Sequence, residues 1–358
     1  MAPDPPGFFP PPVTISPLIQ PHKQTFILLH GRGFHPTPFW TDLFSMPIPV
    51  PAPDTRNNTT YVLSSFPNSS AQSSLRAQTT ELTSSSPAAT AARVSTFRAI
   101  YPHAKFILPA APSHRATIYK RKVIPQWFDS WHLAPVTTTT KEHVDEEPEE
   151  WRAIPGLRDT VLHIHDLIRE EAVLLKHGAQ DIVIGGFSQG CAAALMALIL
   201  WDGTERLGGF WGMGGWLPFA RLVRSEVRAA EERTVEADQF DPFERNDFRL
   251  GYIGERGDRG IGARVVRALQ ERLEIDCYTS ASTTLPRIYD TPVFLGHGDQ
   301  DDNVPISLSR QAAECLQAAG FAVIERHEYH GLEHWYSPSM LTDVVKFLRK
   351  YWKGNTNE

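Results

Sequence analysis

The chain has 358 residues, 41% of them hydrophobic, and a formal net charge of −6. The length is long for one compact α/β domain and short for two, and the hydrophobic fraction is enough for a sizeable core. The negative balance leaves no excess of Lys and Arg for phosphates, which excludes a nucleic-acid partner from the first rank of readings. Cys191, Cys277 and Cys315 are too few and too scattered for a disulfide framework or a zinc cluster.

Residues 1–24 read as a proline-rich arm with no basic region followed by an apolar one, so no secretory signal is expected. No window reaches the roughly 18 apolar residues of a membrane span, and the expected compartment is the reducing cytoplasm. Thr25 to Leu29 reads as a buried strand and runs into His30-Gly31-Arg32-Gly33. Glycines at the carboxyl end of a strand let the backbone approach a substrate, although a plain turn would also use them. Residues 45–92 change character: Pro47 to Pro53 holds four prolines, and 13 of the 27 residues from Ser64 to Thr90 are Ser or Thr. This stretch reads as an extended insertion, with a short helix expected at Leu75 to Leu82.

Phe97 to Tyr101 closes a helix that Pro102 stops, and Lys105 to Pro109 is the next strand. The loop 113–136 carries Tyr119, Trp127, Phe128 and Trp131, read here as the wall of an apolar site, with satellite core as the alternative. The acidic run Glu142 to Glu150 reads as a solvated segment. Leu157, Val161, Ile164, Leu167, Ile168 and Leu174 recur at helical spacing and predict an amphipathic helix over 157–176.

The stretch after that helix organises the chain. Asp181 to Ile184 is an apolar strand, Cys191 to Met196 an Ala/Leu/Met helix, and between them stands G-x-S-x-G as Gly186-Phe187-Ser188-Gln189-Gly190. A serine on a sharp strand-to-helix turn sits in strained backbone. Its neighbours two before and two after must be small to clear strand and helix. The following helix aims free N–H groups and its positive end at the serine. Helix, strand, elbow and helix form a βαβ-type crossover, hence a mostly parallel central sheet with helices on both faces.

Leu207 to Trp211 is a further strand leading to Trp216-Leu217-Pro218. Residues 219–290 are charged and helical in pattern at 220–236 and 261–274. The reading is a cap over the serine, with decoration of the sheet's flank as the alternative. Strands at 291–296 and 322–327, a helix at 306–319 and a last helix at 340–352 follow, all within one domain spanning 25–352 that leaves a tail at 353–358.

A serine nucleophile needs a base, and the base needs an acceptor that fixes its tautomer. Such groups come from loops at the carboxyl ends of parallel strands. His297-Gly298-Asp299-Gln300-Asp301-Asp302 follows one strand, and Tyr329-His330-Gly331-Leu332-Glu333-His334 follows another. Asp301 competes with Asp299 and Asp302 for the acceptor's role. His330 lies four residues before His334, but Gly331 spoils the helix a metal pair would need, so no metal is expected.

Leu29 to Gly33, Leu108 to Pro112, Pro125 to Asp129, Gly185 to Gly190, Trp216 to Pro218, His297 to Pro305 and Gly331 to His334 come in one order. In these blocks the chain resembles the acyl-protein thioesterase and carboxylesterase/lysophospholipase family of small α/β-hydrolases. The resemblance implies Ser188 as nucleophile, Asp301 as orienting carboxylate and His334 as base, with the backbone N–H groups of Arg32 and Gln189 as oxyanion hole. It also implies an apolar acyl channel, for which Phe34, Trp127, Phe128, Trp216 and Leu217 are the candidates, and no cofactor. The substrate would be an acylated protein or a small ester or thioester. Phe34 stands where the family usually has an acidic residue, and Cys191 where it usually has a glycine. An esterase for a small metabolite and a hydrolase-fold protein that only binds are the rival readings. Oligomeric state is left open.

Overall fold

Apolar runs buried on both faces build a seven-stranded sheet. The computed structural model describes residues 3–50, 93–130, 149–238, 258–276 and 287–352. In chain order the strands are β1 (Val13–Ile15), β2 (Gln24–Leu29), β3 (Ile48–Val50), β4 (Arg93–Ser95), β5 (Ala104–Leu108), β6 (Ser113–Ala116), β7 (Lys122–Pro125), β8 (Ile182–Phe187), β9 (Gly209–Met213), β10 (Val293–Gly298) and β11 (Ile324–Tyr329). The helices are α1 (Pro36–Ser45), α2 (Phe97–Ile100), α3 (Ile154–Ala172), α4 (Gln189–Ile199), α5 (Ala220–Asp238), α6 (Asp258–Leu273), α7 (Ile306–Ala318) and α8 (Pro338–Tyr351). The main sheet runs β1-β5-β2-β8-β9-β10-β11, parallel throughout except for the antiparallel edge pair β1 and β5.

Each strand feeds two cores. Ile27, Leu29, Ile182, Ile184, Val293 and Leu295 point to one face, with the buried sides of α3, α4, α5, α6 and α7. Phe26, Leu28, Val183, Phe187 and Phe294 point to the other, under α1, α2 and α8. This is the α/β-hydrolase class expected. Helix α4 is apolar on all sides and wholly buried, as a central helix of such a layer must be. Burying a side chain such as Leu195 contributes roughly 1.5–3 kcal/mol. No described helix is long and apolar enough to cross a membrane.

Three expectations change. The arm at 1–24 is built into the fold: β1 lies within it, Phe9 stacks on His163, and Asp4 accepts a hydrogen bond from the Ser113 N–H at 2.7 Å. The insertion at 45–92 starts and ends in paired backbone, since β3 and β4 form an antiparallel ladder; its interior, with the helix expected at Leu75 to Leu82, lies outside the described residues.

Third, the described parts of the 219–290 insertion, α5 and α6, turn their apolar sides to the helical layer. Val223, Val265, Leu269 and Leu273 are buried in the same core as α3 and α7, and Arg158 on α3 reaches Glu274 just beyond α6 at 3.0 Å. The physical reason is that their apolar side completes the helical layer on the sheet's flank. Residues 239–257 and 277–286 lie outside the described residues.

The elbow tolerates no extra carbon. A Cβ added at Gly190 would stand 2.4 Å from both the Leu29 and His30 carbonyl oxygens, and at Gly186 2.7 Å from the Leu29 oxygen. Both obstacles are backbone, at the end of β2 and the start of the loop after it, and cannot rotate away. Gly190→Ala is therefore expected to destabilise by about 2–4 kcal/mol in spite of alanine's better helix propensity. An unchanged urea midpoint would contradict the close packing of α4 on β2.

Candidate active site

The strand-to-helix turn after β8 holds Ser188 at φ 55°, ψ −123°, a backbone region that costs energy for any residue with a Cβ. Its N–H donates to the Met213 carbonyl at 2.8 Å, which anchors the turn to the end of β9. The hydroxyl stands 2.9 Å from Nε2 of His334, and Nδ1 of His334 stands 2.6 Å from Oδ2 of Asp301. Three residues far apart in sequence thus form one hydrogen-bonded chain along the carboxyl ends of β8, β10 and β11.

Asp301 is fastened on every side. Its Oδ1 accepts from the N–H groups of Asn303 at 3.0 Å and Val304 at 2.8 Å. His297 Nε2 lies 2.8 Å from the Val304 carbonyl and 3.2 Å from Oδ2 of Asp301, so its N–H is shared between them. Burial of Asp301 works to raise its pKa. Hydrogen bonds from His297, His334 and the Val304 N–H, with the charge of His334, override this and hold the carboxyl below the usual range. Asp299 serves the loops instead: it accepts the Gly331 N–H at 2.7 Å and meets Nδ1 of His330 at 2.7 Å. His330 itself is almost fully exposed. Gly298 lets the two loops touch, because a Cβ there would stand 2.0 Å from the Leu332 carbonyl oxygen.

The loop after β2 is held from below. His30 Nδ1–H donates to the Gly31 carbonyl at 2.8 Å while its Nε2 accepts from the Ala111 N–H at 3.1 Å, and burial pushes its pKa down to about 4. The ring is neutral and its tautomer defined. Among the described residues neither the Arg32 nor the Gln189 N–H has a backbone acceptor. The Gln189 side chain accepts from the Trp127 N–H at 3.0 Å and donates to the Phe128 carbonyl at 2.7 Å, tying the 127–128 segment to the elbow.

That arrangement corrects the reading of the aromatic loop. Trp127 is fully buried, and its indole N–H donates to the His30 carbonyl at 2.7 Å, so it braces the loop after β2 and offers no wall to a substrate. Phe128, Trp216 and Leu217 are also buried and present no open surface, with Phe128 and Trp216 packed edge to face. Trp131 lies outside the described residues. Of the five candidates only Phe34 is exposed, at 38%, and it pairs with Trp335, exposed to the same degree. Trp335 also packs on Phe187, whose ring lies 4.8 Å from that of His334. Sequence reasoning missed Trp335. Its signal was adjacency to His334, which places it at the site wherever its ring turns.

Cys191 is buried against the positions of Gly212 and Gly215, where added Cβ atoms would fall 2.5 Å and 2.4 Å from its sulfur. Burial pushes its thiol up to about 12, which makes it a packing group and no rival nucleophile.

The model of the phospholipase/carboxylesterase family matches residues 85–237 and 273–352. The chain belongs to that family. Its members are ester hydrolases, and the curated relatives agree: an acyl-protein thioesterase 1 of Candida albicans is 24% identical over 68% of this chain and 76% of its own length. That of Gibberella zeae is 26% identical over 69% and 76%. Among solved structures, acyl-protein thioesterase 2 of Zea mays superposes with a TM-score of 0.52 at 19% identity, over 95% of this chain and 98% of its own. Esterase PE8 gives 0.51 at 15% identity over 95% and 98%. At these identities the structural likeness speaks for the fold.

Proposed function

We propose that the protein is a serine hydrolase that cleaves thioesters or carboxylic esters through an acyl-enzyme intermediate. The observation that carries this reading is the chain Asp301–His334–Ser188, with spacings of 2.6 and 2.9 Å, ending on a serine in strained backbone. In the reaction, His334 Nε2 takes the Ser188 proton as Oγ attacks the carbonyl carbon. The oxyanion lies against the N–H groups of Arg32 and Gln189, where the positive end of α4 favours negative charge. His334 then protonates the leaving thiol or alcohol. A water, deprotonated by the same nitrogen, releases the acid and restores the serine. Asp301 keeps the proton of neutral His334 on Nδ1 and stabilises the imidazolium while it lasts. No cofactor enters any step.

Similarity to acyl-protein thioesterases makes an acylated protein or a small ester or thioester the substrate to try first, and the free, buried Cys191 and Cys315 suit a reducing cytoplasm. A protein that only binds would have no use for the strain at Ser188. The test is covalent labelling with a fluorophosphonate probe. The wild type is expected to carry one adduct on Ser188, and Ser188→Ala none, with an unchanged circular dichroism spectrum. An adduct on another serine would sink the assignment.

A further inference from the structure

The hairpin of β6 and β7 runs directly beside the loop after β2. Gly33 N–H donates to the Pro125 carbonyl at 2.8 Å, the Arg32 guanidinium lies 5.3 Å from the centre of the Tyr119 ring, and Arg32 Nη1 donates to Ser130 Oγ at 2.8 Å. From Ser113 to Pro125 the chain carries Arg115, Lys120, Arg121 and Lys122 and no carboxylate, in a protein whose net charge is −6. All four side chains are exposed.

The two carboxylates at the base of this unit are engaged: Asp129 accepts the Thr117 N–H and hydroxyl, and Asp4 the Ser113 N–H. The charge of Asp129 also acts on Arg32, whereas among the described residues no carboxylate pairs with the hairpin's four cations. Elsewhere Arg169, Arg310, Arg326 and Lys350 each have one. Moreover, Lys120 and Arg121 occupy the turn at φ 50° and 62°, consecutive left-handed positions that Asn and Gly fill at less cost. Among the described residues the four hairpin cations thus have no carboxylate partner, and two of them are held at a conformational cost, next to the site. Such a field favours a negatively charged partner.

We propose that this hairpin, with the Arg32 side chain, selects substrates that carry a carboxylate or phosphate beyond the scissile ester. The proposal rests on the hydrolase reading above. It is tested with two near-isosteric pairs that differ by one charge. In one, the charge is on the leaving group: 3-carboxyphenyl butyrate against 3-carbamoylphenyl butyrate. In the other it ends the acyl chain: phenyl hydrogen glutarate against phenyl glutaramate.

For at least one pair, kcat/KM of the wild type is expected to favour the anionic ester about tenfold at low salt, the preference shrinking at high salt. Lys120→Gln/Arg121→Gln/Lys122→Gln should bring the ratio to near one. The single Lys122→Glu, which spares the left-handed positions, should reduce it if the triple variant does not fold. No anionic preference in either pair, or a preference that neither variant moves, overturns the proposal. So does binding to anionic vesicles without discrimination within the pairs, which would assign the hairpin to a lipid surface. Failure of the wild type to hydrolyse any of the four esters would instead overturn the hydrolase reading, and the proposal with it.

Discussion

Ser188→Ala and His334→Ala each lower kcat/KM on a small ester by a factor of about ten thousand to a million, and the double variant loses little more than the worse single one. The expectation follows from the 2.9 Å contact between Ser188 Oγ and His334 Nε2. With either member gone, the proton transfer that makes the hydroxyl a nucleophile no longer exists, so removing the second costs nothing further. What persists is activity from the two N–H groups and from binding alone. Initial rates with p-nitrophenyl butyrate, on protein whose folding is checked by circular dichroism, measure this. Additive losses in the double variant would mean that the two residues act separately and that the chain through Asp301 is structural.

Asp301→Asn is expected to cost a factor of about a thousand to ten thousand in kcat, because an amide can donate to His334 Nδ1 and so favours the wrong tautomer. Asp299→Asn should cost less than about tenfold, since Asp299 is half-buried, orders the Gly331 loop and meets the exposed His330 ring, with no contact to Ser188 or His334. The reverse ranking would reassign the acceptor. The depressed pKa of Asp301 adds a signature in stability. A carboxyl whose folded pKa lies below its unfolded value stabilises fully above about pH 4 and loses that contribution as pH falls through the folded value. The thermal midpoint of wild type should therefore begin to converge on that of Asp301→Asn only as the pH is lowered below about 4. A constant gap would place the carboxyl at an ordinary pKa.

Most of the fold was legible in the sequence, because the signals were local. The apolar runs that became β2, β5, β8 and β10 are short and bounded by turn residues, and α3 and α8 show helical spacing over many residues. Ser188 was legible for the same reason: glycine is required at positions 186 and 190 by atoms of β2 that any such elbow must pass. The order of Ser188, Asp301 and His334 followed from strand ends that face the same edge.

The errors lie where partners come from far along the chain. Trp127 looks the same in sequence whether it lines a channel or braces a loop; the His30 carbonyl and the Gln189 side chain, both distant, decide for the brace. The helices α5 and α6 carry one apolar side in either reading, and only the tertiary structure shows α3 and α7 packed against that side. The arm at 1–24 has too little apolar periodicity to announce β1, which exists because the edge of β5 offers it a ladder.

The sequence by itself determined the mostly parallel sheet, the elbow at Ser188 and the two strand-end motifs, since glycine spacing and strand-end motifs are consequences of backbone geometry within a few residues; the choice of Asp301 over Asp299 and Asp302 rested on the family resemblance, and only the structure shows which of them meets His334. The tertiary structure decided which aromatics face the site, what the two charged helices cover, and that a cationic hairpin with no carboxylate partner among the described residues stands beside the loop after β2. Those properties depend on which surfaces meet, and a side chain's neighbours across the fold are not encoded in its own stretch of chain.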